Sequence, residues 1–94
     1  MKIDNSERGL RLAQSAAASI QGSAGSTTAF NLISGLTVGL LLSDSETLDV
    51  LVSSGWNARC LPQWSERELI DKIRRSRTES RREPGYLQIG RAHV

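Results

Sequence analysis

The sequence predicts an all-α fold, a small four-helix orthogonal bundle with an extended connector bearing Trp and Pro before the last helix. Three observations point there. Apolar residues recur three and four positions apart over successive stretches of the chain, the spacing of one helix face. A serine stands three residues ahead of a glutamate at Ser43/Glu46 and again at Ser65/Glu68, the spacing of a capping box. Only 38% of residues are hydrophobic and 4% aromatic, so the core is mostly Leu, Ile, Val and Ala, with Trp56, Trp64, Phe30 and Tyr86 as its few large pieces. Such a composition suits thin helical packing better than a sandwich.

The first helix follows from Ser6 onward, where Leu10, Ala13, Ala17 and Ile20, with Ala16 beside them, form a narrow Ala-rich stripe. Small residues and two glycines at Gly22, Ser23, Ala24, Gly25 and Ser26 then break the helix. A second helix begins near residues 26–28. Ala29, Leu32, Ile33, Leu36 and Leu40 lie on one side of it, and Phe30, Thr37, Val38 and Leu41 widen the arc until little polar face remains, so this helix is expected at the centre. Gly39 is suited to a left-handed C-terminal cap. The third helix starts at the Ser43/Glu46 box and is expected to turn Leu48, Leu51, Val52, Gly55 and Trp56 inward.

Pro62 disfavours helix at Leu61 and implies an extended connector between Trp56 and Ser65. The last helix opens at the Ser65/Glu68 box, with Glu66 also in the first turn where the helix dipole favours an acid. Its inner face is Leu69, Ile70 and Ile73. Beyond Ile73 the chain is too polar to continue a core, and Pro84 and Gly85 close the element before the apolar pair Tyr86 and Leu87.

A chain of 94 residues fits one small domain. One cysteine, Cys60, and one histidine, His93, provide neither an internal disulfide nor a zinc site, and a reducing cytoplasm is the expected setting. The longest apolar stretch, residues 32–42, is interrupted by Ser34, Gly35, Thr37 and Gly39 and is about half the length a membrane-spanning helix needs. Asp4, Asn5, Ser6 and Glu7 are the wrong chemistry for a signal peptide, so neither membrane nor export is expected. The formal charge of +2 is uneven: residues 1–60 hold four basic and five acidic side chains, residues 61–94 eight and five.

Few residues suggest chemistry. The segment from Gly22 to Ser26 reads first as a structural turn and, as an alternative, as a backbone contact for a phosphate; it lacks the lysine of a phosphate loop. Cys60 reads as a small buried or half-buried thiol at a helix end, since nothing supplies the group that would orient His93 as its base. Asp44, Glu46 and Asp49 complement the dipole of the third helix. No catalytic residue, metal ligand or cofactor site is assigned. The basic run is the one feature with functional weight: Lys72, Arg74, Arg75, Arg77, Arg81 and Arg82 against the single acid Glu79. It is either a solvated helix end, supported by the pairs Glu68 to Lys72 and Asp71 to Arg75, or a contact for nucleic-acid phosphates.

Taken in order, these pieces resemble the primase C-terminal domain, a helical accessory domain beside primase-polymerase and helicase modules in replication proteins of phages and other mobile elements. The resemblance covers residues 6–87 and rests on Ile20, Gly22, Gly25, Ala29, Phe30, Gly39, Leu42, Ser43, Glu46 and Leu48, then on Lys72, Ile73, Gly85, Tyr86 and Leu87. Its most specific block is residues 56–69, with Trp56, Asn57, Arg59, Cys60, Pro62, Trp64, Ser65, Glu66, Glu68 and Leu69. Gln63 stands where the family usually has a second proline.

The resemblance implies a non-catalytic accessory or linker domain that positions neighbouring primase or helicase modules on single-stranded or primer-template DNA. The catalytic carboxylates and the phosphate loop of such proteins belong to those neighbours, and no residue here inherits their roles. Lys72, Arg74, Arg75, Arg77, Arg81 and Arg82 are the candidate phosphate contacts, and Trp56, Asn57, Pro62, Trp64, Ser65 and Glu68 the structural motif. A helix-turn-helix-like DNA-binding regulator and a protein-interaction module without nucleic acid are the alternatives. The expected organisation is a disordered N-terminus over residues 1–5, the helical domain over 6–87, and a non-native or disordered tail over 88–94. Ile89, Gly90, Arg91, Ala92, His93 and Val94 coincide with what a short-read sequencing adapter encodes in one frame, which implies a metagenomic fragment.

Overall fold

The computed structural model of the chain describes residues 5–79. Its helices are α1 (Asn5–Ser15), α2 (Gly25–Ser34), α3 (Asp44–Ser53), α4 (Trp56–Arg59) and α5 (Glu66–Glu79), and α2 runs on through a π-helical turn, Gly35–Gly39. No strand forms among the described residues; a lone parallel bridge joins Ile20 to Leu61. The fold is therefore the all-α bundle that the sequence predicts, with one short helix more than the four expected. Arg81, Arg82, the Pro84 and Gly85 stop, the Tyr86 and Leu87 pair and the tail over 88–94 lie outside the described residues.

The core gathers around α2 and its π turn, where residues 32–40 are all buried. Leu32, Ile33, Leu36 and Leu40 meet Ala13 of α1, Val50 and Leu51 of α3, Trp56 of α4, and Leu69 and Ile73 of α5. The centrality of α2 follows from its lack of a polar face. One polar contact crosses this apolar interior: the hydroxyls of Thr37 and Ser76 lie 2.7 Å apart, and each also reaches a carbonyl of its own helix, Ile33 at 3.0 Å and Ile73 at 2.7 Å. Both residues are fully buried, so the pair fixes how α5 sits on the π turn.

Four expectations are corrected. The first helix ends at Ser15, short of Ala17 and Ile20, and it buries Gly9 and Ala13 rather than Leu10. Gly9 is the reason. A Cβ there would stand 2.9 Å from Leu42 Cδ1 and 3.1 Å from Leu36 Cδ2, so the missing side chain lets α1 settle on the core. Asn5, expected in a disordered terminus, belongs to α1, and its Nδ2 donates to Leu40 O at 2.9 Å.

The end of α2 differs too. Gly39 stays within the π turn, and Leu41 takes the left-handed conformation with φ 60°. The wider turn, closed by Leu40 N–H on Gly35 O at 2.9 Å and Leu42 N–H on Leu36 O at 3.1 Å, moves the reversal beyond the glycine. Finally, α3 stops at Ser53, and Gly55 at φ 85° turns the chain so that Trp56 enters the core from α4. Val52, expected inside, is 59% exposed, and Thr47 and Val50 face the core beside Leu51.

Candidate functional site

The block that carries the family resemblance folds as a stitched corner between α1, α4 and α5. Trp56 is fully buried, and its Nε1 donates to Ala17 O at 2.9 Å. Asn57 closes the connector with two bonds, donating from Nδ2 to Trp64 O and accepting the Trp64 N–H at Oδ1, each at 2.9 Å. The Arg59 guanidinium reaches back to the carbonyls of Ala13 at 3.0 Å, Ala16 at 3.2 Å and Gln14 at 3.4 Å. It thus supplies the cationic cap that α1, with no basic residue in its last turn, lacks.

Cys60 is buried under this corner. Its sulfur accepts the Ser19 N–H at 3.4 Å and donates to Trp56 O at 3.4 Å, and burial pushes the thiol up from its ordinary pKa. Leu61 N–H donates to Ser19 O at 2.9 Å, and Gln21 N–H to Leu61 O at 2.8 Å. The Leu61–Pro62 peptide is cis. Ser65 and Glu68 form the expected capping box, Ser65 N–H on Glu68 Oε1 at 2.8 Å and Glu68 N–H on Ser65 Oγ at 3.1 Å. The polar atoms of Trp56, Asn57, Arg59, Cys60, Ser65 and Glu68 are spent on backbone partners, and Trp64 Nε1 is buried without an acceptor.

The basic run divides once its neighbours are in view. Arg77 is a fastener: its guanidinium meets Asp44 Oδ1 at 2.7 Å and Leu42 O at 2.8 Å, tying α5 to the start of α3. Arg75 is flanked on its own helix by Asp71 at 3.7 Å and Glu79 at 3.3 Å. The expected pair of Glu68 with Lys72 does not form, because Glu68 is held at Ser65 N–H. Lys72 instead lies 4.6 Å from the centroid of the Trp64 ring and donates to Ser26 Oγ at 3.3 Å. Arg74 has no ion-pair partner among the described residues, and Arg81 and Arg82 lie outside them.

Arg67, one turn into α5, also has no ion-pair partner among the described residues. It lies outside the basic run that starts at Lys72, although its seven-residue spacing from Arg74 puts the two on one helix face. A shallow depression on that face is lined by Glu66, Arg67, Ile70, Asp71 and Arg74. Residues 5–79 hold eight basic and eight acidic side chains, so the described part of the molecule is neutral.

Beside the stitched corner lies a groove of ≈ 500 Å³, with the glycine turn and the first turn of α2 on one side and Leu61, Pro62, Gln63 and Trp64 on the other. A smaller cavity of ≈ 230 Å³, walled by Phe30, Lys72, Arg75 and Glu79, shares Ser26 and Thr27 with it. The acids of α3 have local roles. Asp44 receives Arg77, and Asp49 accepts from Ser53 Oγ at 3.2 Å. Glu46 accepts the Ser43 N–H at 2.8 Å, which holds its carboxyl below the ordinary range. Among the described residues no cluster of His, Cys, Asp and Glu could hold a metal, and no helix is long and apolar enough to cross a membrane.

Compared with models of known families, with curated proteins and with solved structures, the chain matches none.

Proposed function

We propose that this chain is a non-catalytic helical accessory domain of a DNA replication protein of the primase or helicase kind, and that it positions neighbouring catalytic modules on DNA. The observation that carries this reading is the use of residues 56–69. The side chains on which the resemblance to the primase C-terminal domain rests are committed to the fold: Trp56 to Ala17, Asn57 to Trp64, Arg59 to the end of α1, and Ser65 and Glu68 to each other. Side chains committed in this way hold a shape, as suits a module whose task is attachment and orientation.

Contact with DNA falls to the cations of α5 that form no ion pair among the described residues. Arg67 and Arg74 are about 10 Å apart along the axis of α5, at about 1.5 Å per residue, so the two side chains can reach different phosphates of one strand. Lys72 stands between them in sequence and carries its charge over Trp64. Contacts of this kind fix position without reading bases, as positioning neighbouring modules requires. Fluorescence anisotropy with a labelled oligonucleotide at low salt tests the reading. The parent chain is expected to bind, and Arg67→Ala/Arg74→Ala to bind at least about tenfold more weakly, each lost phosphate contact being worth on the order of one kcal/mol or more. A parent that does not bind would overturn it.

A further inference from the structure

We propose that the groove between residues 19–27 and residues 61–64 is a nucleotide site, with a phosphate at the first turn of α2 and the base against Pro62 and Trp64. The observation that singles it out is a hydroxyl that no protein group uses. Ser19 is 3% exposed and lines the groove; its N–H is taken by the Cys60 sulfur and its carbonyl by Leu61 N–H, yet its Oγ has no hydrogen-bond partner among the described residues. With the rest of Ser19 enclosed and no protein group bonded to this oxygen, the hydroxyl is free to bond a group that enters the groove. Ser19 Oγ abuts Gly25, the first residue of α2, where a Cβ would stand 2.8 Å from that oxygen and 2.8 Å from Ile20 O. The hydroxyl and the helix start therefore meet at one point on the groove floor.

Other donors on the groove can address the same kind of acceptor. The residue preceding α2 is Ala24, which supplies no side-chain cap, and the first turn carries no acid, so its amides remain open to an acceptor from outside. Ser26 and Thr27 add hydroxyls at the groove wall, and Lys72 Nζ lies 3.3 Å from Ser26 Oγ. Hydroxyls and helix amides around one spot, with an ammonium on the far side of Ser26, suit an anion with several oxygens, and a phosphate has that form. Glu68 also lines the groove, but its carboxylate is turned to Ser65 N–H at 2.8 Å.

The opposite wall fits a flat apolar ring. Leu61 is 63% exposed and is followed by the Pro62 ring and the Trp64 indole, and the amides of Gln21 and Gln63 at the rim can each both donate and accept, as base edges require. The volume, ≈ 500 Å³, lies in the range of small-ligand sites, roughly 300–1,000 Å³. A free nucleotide and an unpaired nucleotide of a strand offer the same chemistry. The strand form rests on the DNA reading above, whereas the free form does not.

An amide-resolved NMR titration of the full chain separates these cases, with thymidine 5′-monophosphate, thymidine, inorganic phosphate and a short oligodeoxythymidylate as probes. The monophosphate is expected to shift Gly25, Ser26, Thr27 and the Trp64 indole N–H, and both thymidine and phosphate alone to bind at least about tenfold more weakly, one charge-assisted contact set being worth about that factor. Ser19→Ala is expected to keep or raise the melting temperature, since it deletes a hydroxyl the fold does not use, and yet to weaken the monophosphate several-fold. Ser26→Asp sets an acid where the dipole of α2 favours one, so the fold stands while the phosphate is repelled. No shifts with the monophosphate, phosphate alone binding as well as the monophosphate, or Ser19→Ala and Ser26→Asp both binding like the parent would overturn the site. Oligonucleotide binding lost in Arg67→Ala/Arg74→Ala but unchanged in Ser19→Ala and Ser26→Asp overturns the strand form of the site and keeps the DNA reading. Monophosphate binding without any oligonucleotide binding does the reverse.

Discussion

Trp56 and Trp64 are both legible in the sequence as large pieces of a thin core, but the structure gives them different weights. Trp56 is the largest fully buried side chain and donates to Ala17 O, whereas Trp64 is half-buried beneath Lys72. Trp56→Ala is expected to cost about 3–5 kcal/mol and Trp64→Ala clearly less, read from urea unfolding of each; equal losses would contradict this account of the corner. Leu41 is a residue that sequence reasoning could not have found. It holds φ 60° while 50% exposed, a conformation that penalises a side chain, so Leu41→Gly is expected to gain about 0.5–1 kcal/mol in the same assay. Gly9 and Ser19 were also hidden. The fit of Gly9 depends on Leu36 and Leu42, and the unused hydroxyl of Ser19 on Gly25 and Leu61, all brought near only by the fold.

Among the elements, those whose signals are local were read correctly. Both capping boxes form with the residues their spacing nominates, because the bonds close within four residues and need no tertiary partner. The breaks were harder to see. The face from Leu48 to Trp56 keeps helical period across Gly55, and only the left-handed turn there separates α3 from α4. The π turn likewise has no sequence mark, which is why the reversal was expected at Gly39. The boxes also make a pH prediction. Glu46 is held below the ordinary glutamate range first by the Ser43 N–H and then by the Ser43 hydroxyl. Its contribution to stability is complete above that range and is lost as pH falls through the lowered value. Unfolding followed by circular dichroism should thus lose stability on the acid side, and Glu46→Gln should flatten that slope; an unchanged slope would mean the bond contributes nothing. Ser65→Ala, at the start of α5, is expected to cost about 1 kcal/mol at neutral pH.

At the scale of the molecule, the fold class was legible because helical spacing and two capping boxes agree, while the candidate site was legible only in part. The basic run was visible, but which of its cations are spent depended on Asp44, Asp71, Glu79 and Trp64, and Arg67 stood outside the run altogether. With eight charges of each sign over residues 5–79 and a net charge of only +2 over the whole chain, long-range attraction to DNA is modest, and a few discrete contacts are expected to supply most of the binding. The salt dependence of oligonucleotide binding tests this most directly. For three contacts, Arg67, Lys72 and Arg74, the plot of log affinity against log salt should fall with a slope of about −2 to −3, more steeply if Arg81 and Arg82 also engage, and Arg67→Ala/Arg74→Ala should make it shallower by about 2. No binding at low salt, or the same slope in the double variant as in the parent, would contradict a DNA-positioning role for this domain.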